Sequence, residues 1–282
     1  MTPDPSRPRL TDRAALARNR LRARRLPDPA TFLLDDAASE LHERLLDVNR
    51  PFRRPAVVTG QPEFWAQKLP GAHIVPDSDT LELHEGAHDL VVHALCLHWA
   101  DDPVGQLVQA RRALEPDGFF LCFTLGGQTL APLRAALAEA EAALTGGLSP
   151  RVLPMGEIRD MGGLLQRAGF TMPVADLFTR QVSYESTLHL MRDLRAMGEG
   201  NALAGRSKAF TRRGIFAQAA EIYAETAGLP DARVGAAFDL ITLTGWSPGP
   251  DQPKALRPGS ATARLADVLG AQETPLRDPS AY

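Results

Sequence analysis

Apolar positions Leu10, Ala14, Ala17 and Leu21 recur at helical spacing near the amino terminus, and Leu33, Ala37, Leu41, Leu45 and Val48 repeat the pattern across 32–49. Two amphipathic helices are predicted, separated by Pro27 and Pro29. The period then shortens. Ala56-Val57-Val58-Thr59 reads as a strand, 64–69 as a brief helix, and 72–75 as a short strand that ends at Pro76-Asp77-Ser78-Asp79. Beyond the polar turn at Glu85-Gly86, the almost unbroken apolar run 89–95 predicts a strand covered on both faces.

Asp102-Pro103 then supplies a helix start, with the aspartate as N-cap and the proline at the first helical position, where no N–H is needed. Val104, Leu107, Val108 and Leu114 form that helix's apolar face, and Pro116-Asp117-Gly118 turns the chain into a strand over 119–124. Strand, helix and strand at this spacing make a βαβ unit, which requires a parallel sheet. Further helices are predicted over 130–144, closed by Gly146-Gly147, and over 157–168, with Gly169 as a left-handed terminator. Alternation over 176–184 suits an edge strand, and helices near 186–197 and 211–227 precede a strand over 237–244. The expected organisation is an amino-terminal helical arm (1–50), an α/β domain (51–246) with a helical insertion at about 185–228, and a flexible carboxy-terminal tail (247–282).

Apolar residues at 44% and charged residues at 23% are the balance of a globular chain, and no apolar run approaches the ~18 residues that span a bilayer. A net charge of −3 gives no general attraction to nucleic acid. The charge is uneven, however: eight arginines between Arg7 and Arg25 face the single acid Asp12, without the interleaved aromatics that nucleic-acid binding uses. A helix docked on its own domain or on a partner is expected instead. Cys96 and Cys122 fall in apolar runs and are expected to be buried free thiols in a reducing compartment. No secretory signal pattern opens the chain, so a cytoplasmic location is expected.

The segment DLVVHALCLHWADDPVGQLVQARRALEPDGFFL resembles the later motifs of class I S-adenosylmethionine-dependent methyltransferases. A narrower resemblance, carried by HWADDPVGQ, LGGQTLAPLR, LSPRV, GGLLQRAGF, MRDLRAMGEGNAL and TLTGW, is to the arginine-hydroxylase family of respiratory complex I assembly factors. It extends from about Asp12 to about Ala261. The resemblance implies a Rossmann-like α/β methyltransferase sheet, S-adenosyl-L-methionine lying over the carboxyl ends of its strands, and a complex I subunit as protein client. Where that family carries D-x-G-x-G-x-G after the first strand, VVTGQPEFW retains Gly60 alone. The interval from Val58 to Ile74 is also too short for the usual loop, helix, strand and helix. Either the second strand and its ribose-binding acid are deleted, or 72–75 is itself that strand, with Asp77 as the acid.

By the same resemblance, Gly60 belongs to the cofactor loop, Asp77 and Asp79 to the ribose or adenine contacts, and His93, Ala94 and Leu95 to the strand end facing the cofactor. Plainer alternatives stand beside these: a turn glycine, solvated loop acids. His98 and Trp99 could line a substrate pocket, stack on a guanidinium or pack against the sheet end. Gly126 and Gly127 either let a ligand approach the backbone or break the strand. His73, His84, His88, His93 and His98 raise the idea of a two-histidine, one-carboxylate iron site, but nothing in their spacing supplies convergence, and no metal is expected. No catalytic residue stands out. Two functions follow: an enzyme, in which positioning a nucleophile against an already activated sulfonium carries the catalysis or, as the resemblance implies, an arginine of a complex I subunit is hydroxylated; or a non-catalytic assembly chaperone on a degenerate methyltransferase fold.

Overall fold

Side chains on a strand point alternately to its two faces, so a strand apolar at every position must be covered on both. The computed structural model, which describes residues 9–250 together with Gln252 and Gly270, places the apolar runs accordingly. Strands β1 (Pro55–Thr59), β2 (His73–Pro76), β3 (His88–Ala94), β4 (Leu114–Gly126), β5 (Thr171–Tyr184) and β6 (Val234–Trp246) form one six-stranded sheet in the order β2-β1-β3-β4-β6-β5. The first four strands are parallel, and β6 runs antiparallel to both of its neighbours. Helices α1 (Arg13–Arg24), α2 (Phe32–Val48), α3 (Pro62–Lys68), α4 (Pro103–Ala113), α5 (Ala131–Thr145), α6 (Ile158–Ala168), α7 (Thr187–Ala196) and α8 (Arg213–Ala227) surround it. The described residues through Gly249 belong to one compact unit, and Pro250 onward to another. Most of the expected tail over 247–282, and residues 1–8 of the basic arm, lie outside the described residues.

Ala56, Val58, Val91, Phe120 and Cys122 face a core shared with Leu107 of α4 and Leu165 of α6. Val57, Leu90, Val92, Leu121 and Phe123 face the opposite core, with Ala37 and Leu41 of α2 and Trp65 of α3. A third apolar cluster joins α5, α7 and α8 to the end of β6 through Leu133, Leu137, Leu190, Ile215, Tyr223 and Phe238. Cys96 and Cys122 are buried free thiols, and burial pushes both above their ordinary range. Among the described residues, no helix is long and apolar enough to cross a membrane.

Local signals did their expected work at several ends. Asp102 Oδ1 accepts the N–H of Gly105 at 2.9 Å to start α4, and Gly169, at φ 85°, ends α6 in the left-handed conformation. Two expectations change. Pro116-Asp117-Gly118 is a bulge within β4 rather than a turn before it: Leu114 already pairs with His88, and the register shifts before Leu90 meets Phe119. On α1 the predicted face is turned to solvent, with Leu21 42% exposed, while Ala15, Leu16, Arg20 and Ala23 are buried. The helix is rotated by what Arg20 and Arg13 reach.

Between Thr59 and His73 the chain makes only α3 before pairing β2 directly with β1, Ala56 opposite His73. Thus 72–75 takes the place of strand two at the sheet edge, and the first half of the sheet is shortened.

Candidate functional site

In an open parallel sheet, ligands bind beyond the carboxyl ends of the strands at the point where strand order reverses. Here the chain passes from β1 to β2 on one side and to β3 on the other, so that point lies beyond Thr59-Gly60 and Ala94-Leu95. α1 lies over it. The Arg20 guanidinium rests on the face of Gly60 so closely that a Cβ there would overlap it. Arg24 Nη1 donates to the Gly60 carbonyl at 3.1 Å. What remains between Arg20, Gly60, Leu95, Leu33, Leu34 and Glu199 is a cavity of about 30 Å³.

Asp77, at the end of β2, is committed to this closure. Its Oδ1 accepts from Arg20 Nη1 at 2.8 Å and its Oδ2 from Arg13 Nη1 at 3.1 Å, while Arg13 Nη2 donates to its carbonyl at 2.6 Å. The Arg20 and Asp77 side chains are 7% and 10% exposed. Burial pushes the Asp77 carboxyl up, but the charge and hydrogen bond of Arg20 and the charge of Arg13 hold it below its ordinary value. Arg20 Nη2 remains buried without a hydrogen-bond partner. Asp79 is a more solvated acid, 3.8 Å from Arg13 Nη2.

His93 lies wholly inside. Its Nε2 sits 2.9 Å from Gln106 Oε1 of α4, which makes it the protonated nitrogen, and its Nδ1 lies 3.4 Å from Cys96 Sγ. Burial lowers its pKa to about 4 despite the Gln106 hydrogen bond and the nearby Asp77. Ala94 is buried, its carbonyl accepting from Thr59 Oγ1 at 3.3 Å. Leu95 follows at φ 51° and lines the small cavity. The left-handed region is costly for a leucine, and its N–H bond to the Phe123 carbonyl, 2.9 Å, helps to hold it there.

A much larger chamber, about 320 Å³, opens beside this cleft. Its walls include apolar side chains of α5, α7 and α8, among them Leu133, Leu137, Met191, Leu194 and Phe216, with Phe238 of β6. Arg195, Arg151 and Arg206 also line it, the last two paired with Glu141 and Asp12. His98 and Trp99, on a single 3₁₀ turn (Leu97–Trp99), meet Glu199 at its polar end. Trp99 Nε1 donates to Glu199 Oε2 at 2.6 Å, and His98 Nε2 lies 3.3 Å from the same oxygen. His98 Nδ1 accepts the Leu125 N–H at 3.4 Å, which leaves Nε2 to carry the proton toward Glu199. Burial raises the Glu199 carboxyl, but the His98 hydrogen bond, with His98, Arg20 and Trp99 around it, brings it below its ordinary value. It is an anion whose Oε1 has no hydrogen-bond partner among the described residues.

Gly126 and Gly127 are not among the chamber's lining residues. The N–H of Gly127 donates to the Gly156 carbonyl at 2.9 Å, and the Asp239 carboxylate occupies the space beside it. Glu199 and Arg20 were missed in the sequence. The only signal for Glu199 was its place in the MRDLRAMGEGNAL segment, between two glycines. Among the described residues, no three of the His, Cys, Asp and Glu side chains converge as a metal cage would require.

Comparisons agree with this architecture. Residues 57–122 match the model of a methyltransferase domain, so the sheet is that of a class I methyltransferase. The mouse protein "Arginine-hydroxylase NDUFAF5, mitochondrial" is 32% identical over 285 residues, covering 89% of this chain and 83% of that protein. Its zebrafish counterpart is 38% identical over 200 residues, covering 71% of this chain and 62% of that protein. The YcgJ protein from Bacillus subtilis, a solved structure, is 11% identical with a TM-score of 0.43, covering 69% of this chain and 82% of that one. The chain belongs to the NDUFAF5 arginine-hydroxylase family.

The fold family implies S-adenosylmethionine at the strand ends, and the residues present do not fit it there. A ligand of this size needs ~300 Å³ or more, whereas the cleft leaves about 30 Å³. Its candidate ribose acid is engaged on both oxygens, and a guanidinium fills the space over the one remaining loop glycine.

Proposed function

We propose that this chain is a client-binding protein of respiratory complex I assembly, built on a methyltransferase fold whose cofactor cleft its own first helix closes. The observation that carries the reading is the contrast between the two cavities, about 30 Å³ at the cofactor position and about 320 Å³ over Glu199. The family's name supplies the ligand: an arginine. In the chamber, the carboxylate of Glu199 would take the guanidinium on its free Oε1, and the surrounding leucines and methionines would hold the methylenes. Trp99 and His98 orient that carboxylate. The task assigned to these residues is recognition.

A peptide with a central arginine, titrated against the same peptide with citrulline, tests it. Arginine should bind about tenfold or more tightly than its neutral isostere, because a hydrogen-bonded charge pair contributes ~1.5–3 kcal/mol. The preference should disappear in Glu199→Gln. Equal binding of both peptides to the unaltered chain would refute the reading, as would persistent failure to co-purify with any complex I subunit.

Methyl transfer from S-adenosylmethionine is the second reading. It is favoured by the unpartnered Nη2 of Arg20, which could receive a carboxylate such as the cofactor's if α1 drew back from Asp77. Saturable cofactor binding would select it.

A further inference from the structure

Beside the chamber mouth a groove of about 380 Å³ runs between α7 and α8. Its apolar lining is Leu188 and Met191 from α7 and Phe216, Ala217 and Ala220 from α8. Leu188 is 51% exposed, and the two alanines leave room for a packed chain. Arg192, Arg195 and Arg213 stand along the same groove. All three are exposed, and none of their side chains makes a hydrogen bond or ion pair among the described residues. Two acids of this region are engaged elsewhere: Asp193 accepts the Tyr184 hydroxyl at 2.8 Å, and Glu185 pairs with His189 at 3.3 Å. Met191, Arg195 and Phe216 line both groove and chamber, so the two are neighbours across one wall.

We infer that this groove binds an acidic segment of the client protein, one that lays apolar side chains between α7 and α8 and places carboxylates against Arg192, Arg195 and Arg213. The inference rests on the client-binding reading of the chamber and extends it: the segment next to the recognised arginine is acidic. Charge complementarity selects this occupant. Three unpaired guanidinium groups would repel a second copy of the same face, and an apolar floor suits leucine or phenylalanine side chains better than a phosphate backbone.

The test uses the full chain and a fluorescein-labelled amphipathic peptide with leucines on one face and glutamates on the other, read by anisotropy. Saturable binding that weakens with added salt is expected, together with no binding of the version carrying lysines in place of glutamates. Arg192→Glu, Arg195→Glu and Arg213→Glu combined should weaken binding about tenfold or more. These are exposed positions, so an unchanged thermal unfolding curve will show that the fold persists. Leu188→Asp, a second variant, should weaken binding through the apolar floor. Glu199→Gln should leave the acidic peptide's affinity unchanged while abolishing the arginine preference, which separates failure of the groove from failure of the chamber. The inference is overturned if the acidic peptide does not bind, if the charge-reversed chain binds it equally well, or if single-stranded DNA binds more tightly. Sedimentation showing a dimer that the charge reversals dissociate would likewise overturn it.

Discussion

The strand-end cleft over Gly60 and the chamber over Glu199 lie side by side and share His98, Leu125, Met197 and Glu199 in their linings, yet one is nearly filled and the other is open. The difference lies in what supplies the polar groups. In the cleft, the anion Asp77 is satisfied by arginines of the same chain, so charge, hydrogen bonds and volume are all used internally. In the chamber, Trp99 and His98 both address one oxygen of Glu199 and leave the other available. The same sheet end thus carries a narrow cavity closed by internal ion pairs and, next to it, an open one.

The strongest way to break this contrast is to remove the closure. Arg20→Ala leaves Asp77 buried with Arg13 as its remaining cationic partner, and breaking a buried pair by removing one member costs about 3 kcal/mol or more. Urea unfolding should show the loss. A change below about 1 kcal/mol would place the pair among weakly contributing surface contacts and remove the closure's energetic basis.

Acid should act on the buried layer beneath the cleft. Because burial holds His93 at about 4, below its ordinary 6.5, the unfolded chain takes up a proton between these values that the folded chain refuses. Stability from this group is complete above pH 6.5 and falls by about 3 kcal/mol as pH drops to 4. Asp77 and Glu199, both lowered, add losses that begin as pH falls below their ordinary values and are complete once it has passed their folded ones. Unfolding midpoints measured across pH 4 to 6.5 should therefore slope in the unaltered chain and slope less in His93→Gln, where His88, also lowered by burial, keeps a remaining part.

Smallest of the three is the effect of His98→Ala. Its Nε2 supports Glu199 at 3.3 Å without being the only donor, so arginine-peptide affinity should fall about fivefold, by roughly 1 kcal/mol, with the fold retained. Loss of the folded state would make His98 a packing residue of the sheet end and weaken the distinction between chamber and core.

Much of the sheet was legible because its signals are local or periodic. The apolar run ending in Ala94, the Asp102-Pro103 start and the Gly169 stop each act within a few residues. The shortened interval before β2 could also be read from length alone. The site was harder, since its decisive pairings join Arg20 to Asp77 and Trp99 to Glu199, residues that sequence spacing does not connect. An arginine in a basic helix looks like a solvated charge until a buried carboxylate is found beneath it. That pairing also explains why the alanine-leucine stripe on α1 misled: burying Arg20 beside Asp77 turns Ala14, Ala17 and Leu21 outward.

The central claim is that the chain's own arginine, rather than S-adenosylmethionine, occupies the end of β1. Calorimetric titration of the purified full chain with S-adenosylmethionine tests it most directly. The account predicts no binding heat at millimolar cofactor. Saturable one-to-one binding in the micromolar range would contradict it and restore the cleft as the working site.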